Sequence, residues 1–346
     1  MKRGLALVVA VFIVALAAVA GAGAKSNDTT ITGAGSSFVA PLVAKWTPAL
    51  GGAFGINLNY SAVGSGAGIA AVTNRTVDFG ASDAPLTPDQ ATACKSCVQI
   101  PWALSATSIA YNVPGASARI KLNGKVLADI FLGKVSSWND AAIQAVNKGT
   151  TLPNLKITPV FRSDASGTTF NFTDYLSHVS PEWKSKVGNS TQVSFPTGVG
   201  ARGSSGVAGV VSRTEGSLTY VDVAYSLANH LKFAYVQNAA GKFTLPGLRA
   251  INEAAKGVTL KSLGPDNAGS IVNPSKTYPL AYPICTFTYV IVPTSSPHAA
   301  ELRKTINWAV TLGQKQEYTA KLLFVPLPKP ALVAAQKTIK KIQSAG

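Results

Sequence analysis

The segment from Ile157 to Phe170 passes from an apolar run through Arg162-Ser163-Asp164-Ala165-Ser166-Gly167-Thr168 into a helical pattern. A strand feeding a helix through a few small polar residues confines a chain to α/β architecture, because the helix must pack back on the sheet that the strand belongs to. The same device occurs twice more. Gly33-Ala34-Gly35-Ser36-Ser37-Phe38 follows a short apolar strand and precedes Val39, Val43 and Trp46 at helical spacing. Gly64-Ser65-Gly66-Ala67-Gly68 follows the strand Ile56 to Val63 and precedes Ile69, Ala70 and Val72.

Each turn has a chemical reading and a bland one. Backbone N–H groups at a helix start lack intrahelical partners and sit at the positive end of the helix dipole, so they suit a small oxyanion. Gly lets the backbone approach closely, Ser and Thr add hydroxyl donors, and Arg162 adds a permanently charged fork. The bland reading is tight strand-to-helix packing, for which Gly is common. Three such turns together with a strand-end Arg favour one shared anion site.

Lys2 and Arg3, the apolar stretch Leu5 to Ala20 and the small residues Ala22-Gly23-Ala24 read as an export signal cut after Ala24. The competing reading is an uncut membrane anchor, since Gly4 to Ala24 carries no charge over 21 residues. Removing 24 residues from 346 leaves 322, enough for two core-bearing lobes. A net charge of +16 suits nucleic acid, an anionic envelope or steering of anionic solutes. The basic residues are scattered, with one dense cluster at Lys337, Lys340 and Lys341, and export makes nucleic acid a poor partner. The charge is therefore read as envelope retention plus a favourable field for anions.

In an oxidising compartment Cys94-Lys95-Ser96-Cys97 is expected to close a small disulfide loop, a thioredoxin-like redox pair being the sharper and less favoured reading. Cys285 sits in a strand-like run and is expected to be a buried free thiol.

Strand-like and helical runs alternate almost throughout. A helix is expected over Leu302, Ile306, Ala309 and Val310, opened by Ser296 and Pro297 and ended at Gly313. Another is expected after Pro330, carrying Leu332, Ala335, Ile339 and Ile342 on one face. Two strand-like runs, Ala106 to Val113 and Cys285 to Val292, are candidates to cross between lobes as a hinge over a ligand cleft.

Gly198-Val199-Gly200-Ala201-Arg202-Gly203 matches G-x-G-x-x-G, with Asp222 further on. Export, the interrupting Pro196 and a helix read as only about Val207 to Val211 argue against a dinucleotide site and for a Gly-rich turn near the cleft. Serine hydrolysis is the stronger enzymatic alternative. Yet no G-x-S-x-G elbow occurs, and His178, His230 and His298 lie in separate, apparently exposed segments without metal-ligand spacing. A Ser without a base stays inert, so the hydroxyls are read as neutral donors. No cofactor is expected.

Asp83 closes the run Val77-Asp78-Phe79-Gly80-Ala81-Ser82-Asp83. A carboxylate beside an anion site makes sense if the anion carries a proton, as phosphate does near neutral pH and sulfate does not. The alternative is a plain turn or cap residue before Ala84-Pro85. Asp164 is placed to orient Arg162 or to cap the helix.

These segments, with Asn59-Tyr60-Ser61-Ala62-Val63, Leu127-Ala128-Asp129-Ile130-Phe131-Leu132-Gly133-Lys134, Asp174-Tyr175-Leu176 and Glu182-Trp183-Lys184, resemble the phosphate-binding proteins of bacterial ABC phosphate-uptake transporters over nearly the whole mature chain. The resemblance implies a two-lobed, type II-like periplasmic-binding fold: two mixed or parallel sheets flanked by helices and joined by two hinge strands. It divides the chain into lobe I (25–108 with 288–346) and lobe II (109–287). It implies phosphate donors at Ser37, Phe38 (through its backbone N–H), Ser65, Arg162, Ser166, Gly167 and Thr168. Asp83 would accept the phosphate hydrogen and Asp164 would hold Arg162. Ser37 stands where the family often has Thr, and Val39 replaces a usual Pro. The Cys94/Cys97 loop is no feature of the family pattern. The expected protein is a periplasmic monomer that binds phosphate, with arsenate as a near-isosteric competitor, and delivers it to a membrane permease without bond-making chemistry. An envelope adhesin is the remaining class.

Overall fold

The computed structural model describes residues 29–345, so the export signal and its cleavage point lie outside the described residues. Nine strands form one curled sheet: β1 (Thr29–Gly35), β2 (Ile56–Ser61), β3 (Phe79–Ser82), β4 (Cys97–Tyr111), β5 (Thr158–Arg162), β6 (Val199–Ala201), β7 (Ser217–Asp222), β8 (Lys232–Phe233) and β9 (Cys285–Pro293). Their order is β2-β1-β3-β9-β4-β7-β5-β6, with β8 also on β4. Pairings of β1 with β2 and β3, and of β5 with β6 and β7, are parallel; β9 and β4 run antiparallel to their neighbours.

The 15-residue β4 divides this sheet in two. Its first part, Cys97 to Ala106, pairs with β9, and its second, Thr107 to Tyr111, pairs with β7. The fold is thus the expected two-lobed α/β arrangement, with one strand shared by both halves. The second crossing is placed slightly differently from the sequence reading. β9 lies wholly beside the first part of β4, and the chain crosses just before it, where Ile284 accepts from Thr107 N–H at 2.8 Å.

Each half has its own aromatic core. In the first, α1 (Ala40–Phe54) buries Leu42, Val43, Trp46 and Leu50 at helical spacing, and Trp46 meets Trp102 at 5.3 Å and Trp308 at 6.4 Å between ring centroids. In the second, Phe172 stacks on Tyr220 at 4.5 Å and meets Phe131 at 4.8 Å. Such offset and edge contacts add to large buried areas, so each half holds its strand ends rigidly.

Three helices follow the turns singled out above or lie beside them: α2 (Ser65–Thr73), α3 (Gly167–Val179) and α4 (Gly203–Arg213). The packing reading of the glycines holds in part. A Cβ on Gly68 would overlap the Gly35 Cα and the Ala34 carbonyl, so α2 lies this close to β1 only because Gly68 lacks a side chain. α4 corrects an expectation: it runs for 11 residues instead of about five, because Ser and Gly in its first turn break the apolar pattern without breaking the helix. The later helix spans Ala299–Val310 with His298 as its N-cap; Ser296 instead pairs in a two-residue strand and accepts from His298 N–H at 3.1 Å. The last helix is Lys329–Ile339, leaving Ile342 beyond it. Cys94 and Cys97 form a disulfide, and Cys285 is buried and free.

Candidate functional site

The strand ends and helix starts of both halves meet in one closed cluster. At the end of β1, the Ser36 hydroxyl accepts from Phe38 N–H at 3.0 Å and Val39 N–H at 3.4 Å, opening α1, whose cap position Val39 has no side-chain oxygen. The same hydroxyl donates to Asp83 Oδ1 at 2.5 Å. At the start of α2, Ser65 Oγ lies 3.5 Å from Asp83 Oδ2 and accepts from Asp83 N–H at 3.3 Å and Gly167 N–H at 3.0 Å. A Cβ on Gly167 would come within 2.7 Å of the Ser65 hydroxyl and of Asp83, so this position requires Gly.

Arg162 ends β5. Its Nε and Nη2 donate to the two oxygens of Asp164 at 2.7 and 2.5 Å, a forked pair, and Asp164 Oδ1 accepts also from Gly203 N–H at 3.0 Å. Of the two roles open to Asp164, the structure shows the first; Ser166 caps α3, its Oγ accepting from Thr169 N–H at 3.2 Å. Ser166 N–H is taken by the Thr191 carbonyl at 2.8 Å, which leaves its hydroxyl proton as the donor it can offer. Thr168 Oγ1 is buried and has no partner among the described residues.

Ser37 reaches across to α4. Its hydroxyl lies 2.8 Å from Ser204 Oγ and accepts from Ser204 N–H at 3.2 Å, while Arg162 Nη1 lies 3.5 Å from Ser204 Oγ. Gly66 N–H donates to the Ala165 carbonyl at 3.0 Å. These contacts join Ser36, Ser37, Ser65, Asp83, Arg162, Asp164, Gly167 and Ser204, with Phe38, Ser166 and Thr168 next to them in the chain. Ser37, Ser65, Asp83, Arg162, Ser166 and Thr168 are each at most 4% exposed, so the two halves are closed on one another. An open cavity of about 410 Å³ lined by Leu86, Val98, Pro265, Lys341 and others contains none of them.

Burial pushes the Asp83 carboxyl up to about 6, against the opposing effects of the Ser36 hydroxyl and the Arg162 charge. Burial alone would raise Asp164 too, but the Arg162 hydrogen bonds and charge hold it below its ordinary value. The guanidinium is thus largely compensated, and most of the cluster consists of neutral donors and one carboxyl that accepts a hydrogen bond above about pH 6. Such an arrangement suits a small oxyanion that carries a hydrogen. Its serines face a carboxylate and no imidazole among the described residues: the His298 ring pairs with Asp78 at 2.8 Å, and His178 lies 3.4 Å from Asp174.

Sequence reasoning missed Ser36 and Ser204. Ser36 was inside the quoted first turn, but its neighbour was preferred. Ser204 follows Arg202-Gly203, so Gly203-Ser204-Ser205-Gly206 is a fourth small-residue strand-to-helix turn of the kind already counted. Arg202, placed near the cleft on sequence grounds, is exposed; Gly200 before it lies in strand β6, parallel to β5, and Gly198 just ahead of that strand.

A family model described as the PBP superfamily domain matches residues 20–311. Phosphate-binding protein PstS of Xylella fastidiosa (strain Temecula1) is 41% identical over 313 residues, covering 89% of this chain and 84% of that protein. Phosphate-binding protein PstS of Pasteurella multocida is 38% identical over 322 residues, covering 91% and 89%. Among solved structures, a phosphate-binding protein from Stenotrophomonas maltophilia superposes with a TM-score of 0.66 at 21% identity, covering 89% of this chain and 93% of its own, a likeness of fold.

Proposed function

The chain belongs to the PBP superfamily and, within it, to the PstS phosphate-binding proteins, and from that premise we propose that it binds inorganic phosphate between its two lobes and hands it to an ABC-type membrane permease. No bond is made or broken. The observation that carries this reading is the convergence of four small-residue turns, Arg162 and Asp83 on one buried point.

Ser37, Ser65, Ser166 and Thr168 supply hydroxyls, Phe38, Gly167 and Thr168 backbone N–H groups, and Arg162 the charge. Asp83 accepts the phosphate hydrogen, and Asp164 keeps the guanidinium in place. Phosphate displaces the contacts that now occupy these groups, such as Gly167 N–H to Ser65 and Phe38 N–H to Ser36. Micromolar affinity corresponds to about −8 kcal/mol. Charge-assisted bonds contribute roughly 1.5–3 kcal/mol each, so the Arg162 contact with several neutral donors reaches that figure.

The lobes, expected at 25–108 with 288–346 and at 109–287, are placed here at 29–106 with 285–345 and at 107–284, because β4 changes partner between Ala106 and Thr107 and β9 begins at Cys285 beside its first part. The protein acts as a monomer in the periplasm after loss of residues 1–24. Among the described residues no helix is long and apolar enough to cross a membrane.

Titration calorimetry with phosphate, arsenate and sulfate tests the reading. Stoichiometric phosphate binding, arsenate competing and sulfate inert, is the expected result. Sustained phosphate-ester turnover abolished by one Ser substitution would reverse it, and equal phosphate and sulfate affinities would reject the role given to Asp83.

A further inference from the structure

Asp83 can accept the hydrogen of a guest only while it is ionised. Burial works against that, so the hydroxyls around the carboxyl help to decide its state. Ser36 donates to Oδ1 at 2.5 Å, and Ser65 lies 3.5 Å from Oδ2. Ser65 turns to phosphate once the anion arrives, which leaves Asp83 in need of a further donor.

The sheet supplies one. β9 runs antiparallel to β3, with Tyr289 opposite Ser82, Val290 opposite Ala81 and Ile291 opposite Gly80. Carrying that register one residue on sets Thr288 opposite Asp83. Directly opposed residues of an antiparallel pair share a face, with their side chains in reach of one another. Thr286, two residues back on that face, bears out the placement: its hydroxyl lies 3.4 Å from the Asp83 carbonyl. The buried Thr288 hydroxyl is accordingly one of the partners that oppose burial at the Asp83 carboxyl, after Ser36 and Arg162.

The Thr288 proton is aimed from behind. Along β4, Ala103 pairs with Thr288 and Pro101 with Tyr289, so Trp102 is the extra residue of a β-bulge. A bulge can re-aim a side chain. This one turns the indole onto Thr288, Trp102 Nε1 donating to Thr288 Oγ1 at 3.2 Å. An indole N–H can only donate, so the Thr288 oxygen accepts there and its own proton is left for Asp83. The indole is held edge-on by Trp46 at 5.3 Å and Phe79 at 5.8 Å between ring centroids. Trp102, Thr288 and Asp83 all belong to the first half, so this relay does not depend on closure.

We propose that Thr288 is a positioning residue of the anion site: held by the Trp102 indole, its hydroxyl donates to the Asp83 carboxylate and keeps it an acceptor for the hydrogen of the guest. This rests on the phosphate reading and deepens it, since an ionised Asp83 is what refuses sulfate. The other charged or titratable groups that face Asp83 are Arg162 at the end of β5, with Asp164 bound to it, Asp222 at the end of β7, Tyr60 on β2 and Tyr289 on β9. A change at Thr288 alters none of these groups, so a shift between variants reports on the hydroxyl.

The test follows the Asp83 carboxyl carbon by carbon-13 NMR across the acid and neutral range in the ligand-free whole chain labelled at aspartate. The resonance is assigned by its loss in Asp83→Asn. Wild type should titrate near pH 6. Thr288→Val keeps the shape and drops the hydroxyl, so it should titrate about one pH unit higher, and Thr288→Ser within about 0.3 unit of wild type. Trp102→Phe keeps a ring and drops the N–H, and should shift the same way by about half a unit. At about pH 6.5 the shift in Thr288→Val lowers the ionised fraction roughly threefold, and phosphate affinity by calorimetry should fall about as much. An unmoved midpoint in Thr288→Val, an equal shift in Thr288→Ser, or an unchanged phosphate affinity would overturn the proposal. If Thr288→Val does not fold, Trp102→Phe decides, and an unmoved midpoint there overturns it equally. Failure of wild type to bind phosphate in that calorimetry would bring down the phosphate reading and this inference together, whereas binding with an unmoved midpoint brings down only the latter.

Discussion

The two halves of the anion cluster bring opposite chemistry. The half built on β1, α2 and β3 contributes Ser36, Ser37, Ser65 and Asp83: hydroxyls and an acid, with no cation. The half built on β5, α3 and α4 contributes Arg162 with Asp164, the start of α3, and Ser204. Alone, the first half would repel an anion. The second offers a guanidinium and a helix start, so we assign capture to it and discrimination to the half that closes over the guest. Closure joins the two through Ser37 with Ser204, Ser65 with Gly167, and Gly66 with Ala165.

The largest expected effect breaks the capturing half. Arg162→Ala removes a buried charge-assisted donor and leaves Asp164 facing the anion, compensated only by Gly203 N–H. Phosphate affinity should fall at least about 100-fold, roughly 3 kcal/mol, by calorimetry. A loss under fivefold would mean that capture does not depend on this half.

Asp83→Asn tests the discriminating half. An amide can donate where the carboxylate can only accept, so phosphate should weaken by roughly tenfold and sulfate, inert in wild type, should bind. In wild type the same change should appear with pH alone: sulfate binding should rise as pH falls through about 6, where Asp83 gains its proton. A flat sulfate titration from about pH 7.5 to 5 would remove Asp83 from the selectivity argument.

The ligand-free protein carries the same signature in its stability. Asp83 has a folded-state value of about 6, above its ordinary 3.8, so the folded state binds its proton more tightly than the unfolded chain does. Its favourable contribution is complete below about 3.8 and is lost as pH rises through about 6, amounting to about 3 kcal/mol. Asp78 and Asp164, both held low, act oppositely: their contribution is lost as pH falls below the ordinary carboxylate range. Melting temperatures of Asp83→Asn should therefore fall less than those of wild type between pH 4 and 7. Parallel curves would indicate that Asp83 is not buried as described.

Much of this comparison was legible in the residues. Strand-turn-helix runs announce α/β architecture, and Arg162, Ser166, Gly167 and Thr168 sit where a helix start demands them. The discriminating half was harder to read, because Asp83 before Ala84-Pro85 has equally the spacing of a turn residue; only its burial and the Ser36 hydroxyl distinguish the two. Ser204 was hidden because Gly and Ser weaken an apolar helical pattern, so α4 looked too short to count. Asp222 was read only as part of a nucleotide motif, since the parallel pairing that brings the ends of β5 and β7 to one edge is a long-range fact.

Ser204 allows the join between the halves to be tested. Its hydroxyl faces both Ser37 and Arg162, while its N–H meets Ser37 independently of the side chain. Ser204→Ala should therefore weaken phosphate by only about fivefold, near 1 kcal/mol, and leave the preference over sulfate intact. A change in that preference would show that selectivity is shared across the join.

The smallest effect is expected from the densest charge. Lys340 caps the C-terminal end of Lys329–Ile339 and is exposed, with Lys337 and Lys341 beside it. Charges in solvent are screened over about 10 Å at 0.1 M salt, so this cluster adds to long-range attraction and little to the bound state. Lys340→Ala should change phosphate affinity by less than about twofold at 0.15 M salt, with any effect confined to the association rate at low salt. A loss matching that of Arg162→Ala would mean that the net charge of +16, and not the closed cluster, holds the anion, and the division of labour between the halves would fail with it.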